Sequence, residues 1–504
     1  MPAQSYYQLG GYRPHITWKS HTHDDKALAK AITAAESPLR LQAENALLEL
    51  VLGIKPTGSS HLLITEDEAR KLVRYLGLPY PKNPYKESNF ESLSPILFTS
   101  EKVLAKKLST LKPKPRKPGD TSQANKLYQS GKEGEPRGMF EHGRNLYHIL
   151  QNTINKDKFA LQDTPWSNVR IGAIVWNTTK IDDRPYKDRI EHPKVLDLAW
   201  AEASKPDITP KLDGIKYFYS TANSHLNQGT NKMPFRYGEP VQGSKDDFVR
   251  DHLQPLFNDY VSDTDKPLIL LVHEAETTLN VLKDFGIDIS RWKLGIKDLA
   301  GPYQHPSYTH NSSRSYGNDY NQRRNRPRSR SRSPRRYEGH SSRRASYSSR
   351  RSPHLTYSED HRPRAQTYAP VYVVDVKLLY RRLMQTDDFA ETTVNIARAL
   401  DIADEPGWCA GNEAPLLIDI WRSMISGLSI DEQRALRYPQ PDEPLTSKSS
   451  PASHGADGND DDDDDDEVDP NSLAVNVESS SAAVKALYNP IDPDSESDYG
   501  EDSD

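Results

Sequence analysis

Residues 302–368 constrain this chain more than any other stretch. They hold fifteen arginines and four acidic residues. Arg326-Pro327-Arg328-Ser329-Arg330-Ser331-Arg332-Ser333-Pro334-Arg335-Arg336 lies at the centre, and Ser341-Ser342-Arg343-Arg344 and Ser348-Ser349-Arg350-Arg351 extend the repeat. Such a block cannot bury enough apolar area to fold and is expected to be disordered. It stands between two strongly strand-like runs, Leu268–Val272 and Val371–Val376. A domain that uses both runs must let the block loop out of a surface turn. That is tolerable because loop-closure entropy grows slowly with length.

The rest of the chain is also poor in core-forming residues. Only 35% of its 504 residues are hydrophobic, 37 are prolines and the mean hydropathy is −0.82, so a good fraction is expected to stay unstructured. The net charge of −6 conceals an asymmetry between the basic block and an acidic tail with an unbroken run at Asp460–Asp466. Residues 1–24 and 438–504 read as disordered. Residues 25–105 read as a small helical module. Leu28, Ala31 and Ile32 recur at helical spacing, a helix from Ser37-Pro38 is expected to carry Ala43, Ala46, Leu47, Leu50 and Val51, and Thr65-Glu66-Asp67-Glu68 is a capping-box signature. Gly53-Ile54-Lys55-Pro56-Thr57-Gly58 lacks the lysine of a phosphate loop. Residues 106–137, rich in Lys and Pro, read as a linker. The lone cysteine, Cys409, excludes an internal disulfide or a Cys-rich zinc site and suits a reducing compartment. No secretory signal or membrane-length apolar run is evident.

An α/β domain is expected in two parts, 138–301 and 369–437. Val169–Trp176, Val195–Trp200 and Ile215–Tyr219 read as strands, followed by an amphipathic helix over Asp246–Leu256, the Leu268–Val272 strand and a helix over Thr278–Phe285. Beyond the insertion, Val371–Val376 leads into a helix near Lys377, a helical stretch follows over Phe389–Leu400, and Leu416, Leu417, Ile420, Trp421 and Met424 mark an amphipathic helix.

Trp408-Cys409-Ala410-Gly411-Asn412-Glu413-Ala414 precedes that last helix. It resembles the His-Asn-Ala-Gly-Asn-Asp-Ala motif of a fungal branch of the DEDDh exonuclease superfamily, related to a yeast factor tied to DEAD-box helicase action in messenger RNA export. The resemblance covers roughly residues 165–430. It implies a ribonuclease H-like mixed sheet flanked by helices, and a site where acidic residues hold two divalent metals while a histidine takes a proton from water. Trp408 stands at the histidine position and Glu413 at the aspartate. The first strand has no carboxylate between Val169 and Lys180, although the family's first motif needs an Asp and a Glu there. Asp197, Glu274, Asp375 and Glu413 are the remaining degenerate candidates, with Asp298 a rival of Asp375. Plainer roles are open to Asp375 as a helix cap, to Glu413 as a favourable charge in a first helical turn, and to the neighbouring His273 as a core histidine.

The expectation is a catalytically lapsed ribonuclease H-like protein acting as an RNA-associated scaffold in the nucleus or cytoplasm, in messenger RNA export or processing. It would need no cofactor. The alternative is a Mg2+- or Mn2+-dependent 3′–5′ exonuclease with altered carboxylate ligands; a third reading is a protein-interaction hub. Arg328, Arg330, Arg332, Arg335, Arg336, Arg343 and Arg344 are expected to bind RNA phosphates without sequence preference, with Tyr316, Tyr320, Tyr337 and Tyr347 adding stacking surfaces. A DEAD-box helicase or other export factor is an expected partner. So are kinases for serines in the basic block and for Ser495, Ser497 and Ser503 in the tail.

Overall fold

The computed structural model describes residues 4–12, 14–16, 25–40, 47–112, 120–128, 131, 133–162, 164, 166–179, 182–220, 231–241, 244–258, 266–302, 370–386, 391–403 and 407–437. The Arg/Ser block and its seven named arginines, and the acidic tail, lie outside these.

The N-terminal part is a sheet with helices on it, which corrects the expected helical module; it also takes a strand, Ser5–Gln8, from residues 1–24 expected to be disordered, and helices Glu101–Thr110 and Gly134–Leu150 reach into the expected linker 106–137. Strands β1 (Ser5–Gln8), β2 (Leu48–Ile54), β3 (Ser60–Thr65), β4 (Tyr85–Lys86) and β5 (Ser92–Phe98) form an antiparallel sheet in the order β4–β1–β3–β2–β5. The helix expected through Leu50 and Val51 is β2. Both faces of this sheet are covered, so β2 and β3 are buried at nearly every position and show no alternation. The spacing of Leu47, Leu50 and Val51 then fits either period. Helices α1 (Asp25–Thr33), α2 (Glu66–Leu76) and α3 (Glu101–Thr110) cover one face through Leu28, Ile32, Leu72, Leu104 and Leu108. The expected capping box is present on α2: the Thr65 hydroxyl accepts from the Glu68 amide, and the Glu68 carboxylate accepts from the Thr65 amide at 2.9 Å.

The opposite face meets α4 (Gly134–Leu150), a helix buried on several sides. Phe140, Leu146 and Ile149 join the main core. Its polar residues finish the free edge of β5: Asn145 Nδ2 donates to Leu93 O at 2.8 Å, Arg144 donates to Pro95 O at 3.1 Å, and His142 Nε2 lies 3.0 Å from Glu91 O. An edge strand's outward carbonyls are thus answered by side chains where another strand would otherwise pair.

The second sheet has seven strands: β6 (Arg170–Thr178), β7 (Val195–Ser204), β8 (Thr209–Pro210), β9 (Lys216–Tyr219), β10 (Leu268–Val272), β11 (Lys293–Leu294) and β12 (Val371–Asp375). Its path runs β9–β7–β6–β10–β12–β11, with β8 paired to the end of β7. β6, β10, β12 and β11 are mutually parallel; β7 is antiparallel to β6 and to β9. The expected strands therefore all form, and β10 is buried throughout, as its unbroken apolar run requires. Gly172 in β6 lets Trp200 of β7 lie against the backbone, where a Cβ would come within 2.4 Å of the indole.

One face of this sheet is covered by α6 (Lys245–Phe248), a π-helical turn (Val249–Leu253), α7 (Gln254–Asn258) and α8 (Ala275–Asp284). The other carries α10 (Val376–Met384), α11 (Thr393–Ala399) and α12 (Ala410–Ile425), together with α4. The short α5 (Tyr186–Glu191) packs on α8, α9 (Lys297–Ala300) on α4, and α13 (Ile430–Arg437) on α4 and α10. No helix among the described residues is long and apolar enough to cross a membrane.

Candidate functional site

The ends of β6 and β7 and the start of α12 meet at one place. Asn177 and Asp197 are paired across the β6–β7 ladder and, by strand alternation, share the face that α12 covers. The first turn of α12 comes down on them. Asp197 Oδ2 accepts from the Ala410 amide at 3.0 Å and from the Tyr217 hydroxyl at 3.2 Å. Glu413 Oε1 accepts from the Cys409 amide at 2.9 Å and from Asn177 Nδ2 at 3.2 Å. The two carboxylates therefore receive amides that a helix N-terminus leaves unpaired. Burial pushes Asp197 up to about 6, against the pull of the Ala410 amide, Asn177 and Lys232. Burial, and then the charge of Asp197, pushes Glu413 up to about 7. This is a pair that resists being doubly ionised.

A cleft of about 310 Å³ opens beside this pair, at the carboxyl ends of the parallel strands. Asn177, His273, Glu274, Lys377 and Glu413 are among the residues that line it. A second cavity, of about 450 Å³, is lined by Met233, Arg236, Cys409, Asn412 and also Glu413, which therefore borders both spaces.

The other two candidates are placed differently. Asp375 ends β12 and caps α10: Oδ1 accepts from the Leu378 amide at 2.7 Å, and Oδ2 accepts from the Ala275 amide of α8 at 2.8 Å. It holds the starts of two helices and is not among the cleft's lining residues. Burial pushes it up to about 6 despite those two amides. Glu274 lines the cleft, and among the described residues its side chain accepts only from the Thr277 hydroxyl, at 3.4 Å. His273 is driven down to about 3 by burial and by Lys377, so it is a neutral imidazole at physiological pH. Asp298 is paired with Lys293 at 2.5 Å on the surface, away from the cleft walls. The structure thus brings Asp197 and Glu413 together, puts Glu274 in the lining of the same cleft as Glu413 and gives Asp375 a capping role. Among the described residues no three His, Cys, Asp or Glu side chains are grouped to hold a metal ion.

Trp408, at the position where the resemblance expects histidine, is buried and hydrogen bonded through its backbone to a strap, residues 231–241. Trp408 N donates to Asn231 O at 3.1 Å, and Met233 N donates to Trp408 O at 2.9 Å. Cys409 is buried, as expected of a small apolar group. Two participants escaped sequence reasoning. Asn177 closes an apolar strand and shows its meaning only when the β6–β7 hairpin is put in register with Asp197. Lys232 stands in a stretch with no periodic signal at all.

Comparison of the chain with protein-family models, with curated proteins and with solved structures finds no match to any of the three.

Proposed function

We propose that residues 138–301 and 369–437 form a ribonuclease H-like domain whose nuclease centre has lapsed, and that the protein serves as an RNA-associated scaffold in messenger RNA export or processing. The strand path β9–β7–β6–β10–β12 supports the fold: three antiparallel strands in sequence order, then two strands returning parallel to the first. The observation that carries the functional reading is the fate of the carboxylates. Asp375 gives both oxygens to backbone amides, Asp197 and Glu413 take the amides that start α12, and β6 contributes no acid. Two-metal hydrolysis needs several carboxylates turned towards one pair of ions roughly 4 Å apart. Here Asp375, Asp197 and Glu413 accept from the protein's own backbone N–H groups, and of the four candidates Glu274 alone has no such bond among the described residues. RNA contact in this reading belongs to the Arg/Ser block, and a DEAD-box helicase is the partner that the sequence resemblance implies.

The test uses labelled single-stranded RNA and DNA with Mg2+ or Mn2+, comparing the intact chain with an Asp375→Ala, Glu413→Ala variant and with a deletion of residues 302–368. The expected result is no trimming by any of them. RNA binding should weaken steeply with salt and be lost with the deletion. Metal-dependent trimming that disappears in the double variant would instead establish the exonuclease alternative.

A further inference from the structure

The strap over α12 carries a cation into an aromatic enclosure. Lys232 Nζ lies 2.8 Å from the centroid of the Tyr219 ring, 5.8 Å from that of Trp408 and 5.9 Å from that of Tyr217. Three rings, two from β9 and one from the residue before Cys409, thus converge on one ammonium group within the range of cation–π attraction. Asp197 Oδ2 lies 3.2 Å from the Tyr217 hydroxyl, and its negative charge acts on Lys232. The rings are held by bonds that do not involve the lysine side chain. Tyr217 and Tyr219 are on β9, Tyr217 donates to Asp197, and Trp408 is fixed by the backbone bonds to Asn231 and Met233. Lys232 is itself an exposed residue on a four-carbon stem, so it can leave the rings without moving the strap.

We propose that Tyr217, Tyr219 and Trp408, with Asp197 bonded to the Tyr217 hydroxyl, form a binding site for an alkylated ammonium group, occupied in this conformation by the chain's own Lys232. The ligand chemistry is a cation with a diffuse, weakly hydrated charge. A methylated lysine of another polypeptide and a small quaternary amine both supply it. A plain lysine competes poorly because its ammonium is strongly hydrated, which makes Lys232 a displaceable occupant. The site is distinct from the cleft walled by Glu274 and Glu413, and the proposal stands whether or not the domain is a lapsed nuclease.

The experiment titrates the full-length protein with tetramethylammonium, and separately with a short peptide bearing one trimethyl-lysine, and follows saturation transfer to the ligand methyl protons by NMR. Lys232→Ala should bind roughly fivefold more tightly than the unaltered protein, the factor expected when one exposed cation–π contact no longer competes. Adding Tyr219→Phe to Lys232→Ala should leave binding nearly unchanged; adding Tyr219→Ala should abolish it. Stronger binding of the peptide assigns the site to a modified polypeptide, and equal binding assigns it to a small amine. Lys232 is exposed, so Lys232→Ala is expected to keep its melting temperature, and Lys232→Gln serves if it does not. Equal affinity with and without Lys232, or no binding by a folded Lys232 variant, would overturn the proposal.

Discussion

At the residue scale, Asp197 and Glu413 are two buried carboxylates that share the start of one helix. Each holds its proton to a pH at which the unfolded chain has already released it, to about 6 for Asp197 and about 7 for Glu413. The folded state therefore binds more protons across the window from the ordinary carboxylate range to about pH 7. Stability is greatest on the acid side of that window and falls as pH rises through it. Asp197→Asn keeps an oxygen for the Ala410 amide and the Tyr217 hydroxyl while removing the charge. It should stabilise the protein at pH 8 by on the order of 1–3 kcal/mol, and much less at pH 4. Thermal unfolding at the two pH values checks this; a variant less stable at pH 8 would mean that the ionised form is the one the fold favours. Asp375 was legible as a helix cap because an aspartate closing a strand before a helical run suits that role. The Asp197–Glu413 meeting was not. It depends on a hairpin register and a helix docking from more than two hundred positions away, and neither leaves a local trace.

At the scale of elements, strands and helices around the insertion follow their sequence patterns, and the N-terminal sheet does not. The difference lies in solvent exposure. α2 turns one face outward and carries a capping box, and α12 keeps a half-buried face at Asn412, Leu416, Asp419 and Ser423, so a helical period can be read in both, whereas β2 and β3 are covered on both sides and carry apolar residues without rhythm. The strap shows a different dependence, on a missing side chain. At Gly411 a Cβ would come within 2.5 Å of the Phe235 ring and 2.9 Å of Tyr217. Gly411→Ala should push Phe235 off α12 at a cost of about 1–3 kcal/mol. Limited proteolysis should then cut faster within residues 231–241, with α12 itself unaffected. An unchanged cleavage pattern would show that the strap is held elsewhere.

At the scale of the whole molecule, the N-terminal sheet, α4 and α13 are locked by buried charge. Arg137 is fully buried and stacks over Tyr128. It donates to Gly58 O, to Ser60 Oγ at 2.9 Å and to both Asp431 oxygens at 2.6 and 2.7 Å. Burial alone would raise Asp431, but Arg137, Lys107 and Arg434 hold its carboxyl well below the usual range. Lys107 of α3 completes the lock with Glu432 at 2.5 Å. Arg137→Met strands Asp431 without its main partner and should cost about 3–5 kcal/mol. A further Asp431→Leu should recover a good part of that loss. Denaturant unfolding of the two variants measures both effects, and additive losses would mean that the pair is not coupled.

The place of β12 also has a consequence in time. β10 lies between β6 and β12, and Val272 pairs with Asp375. On a ribosome making about 5–20 residues per second, the roughly one hundred residues between these partners take some five to twenty seconds to appear. Throughout that interval five consecutive apolar residues of β10 have a neighbour on one side only. The nascent protein therefore passes through a stage with a sticky open edge, and the Arg/Ser block is the segment being synthesised while that edge waits for its partner.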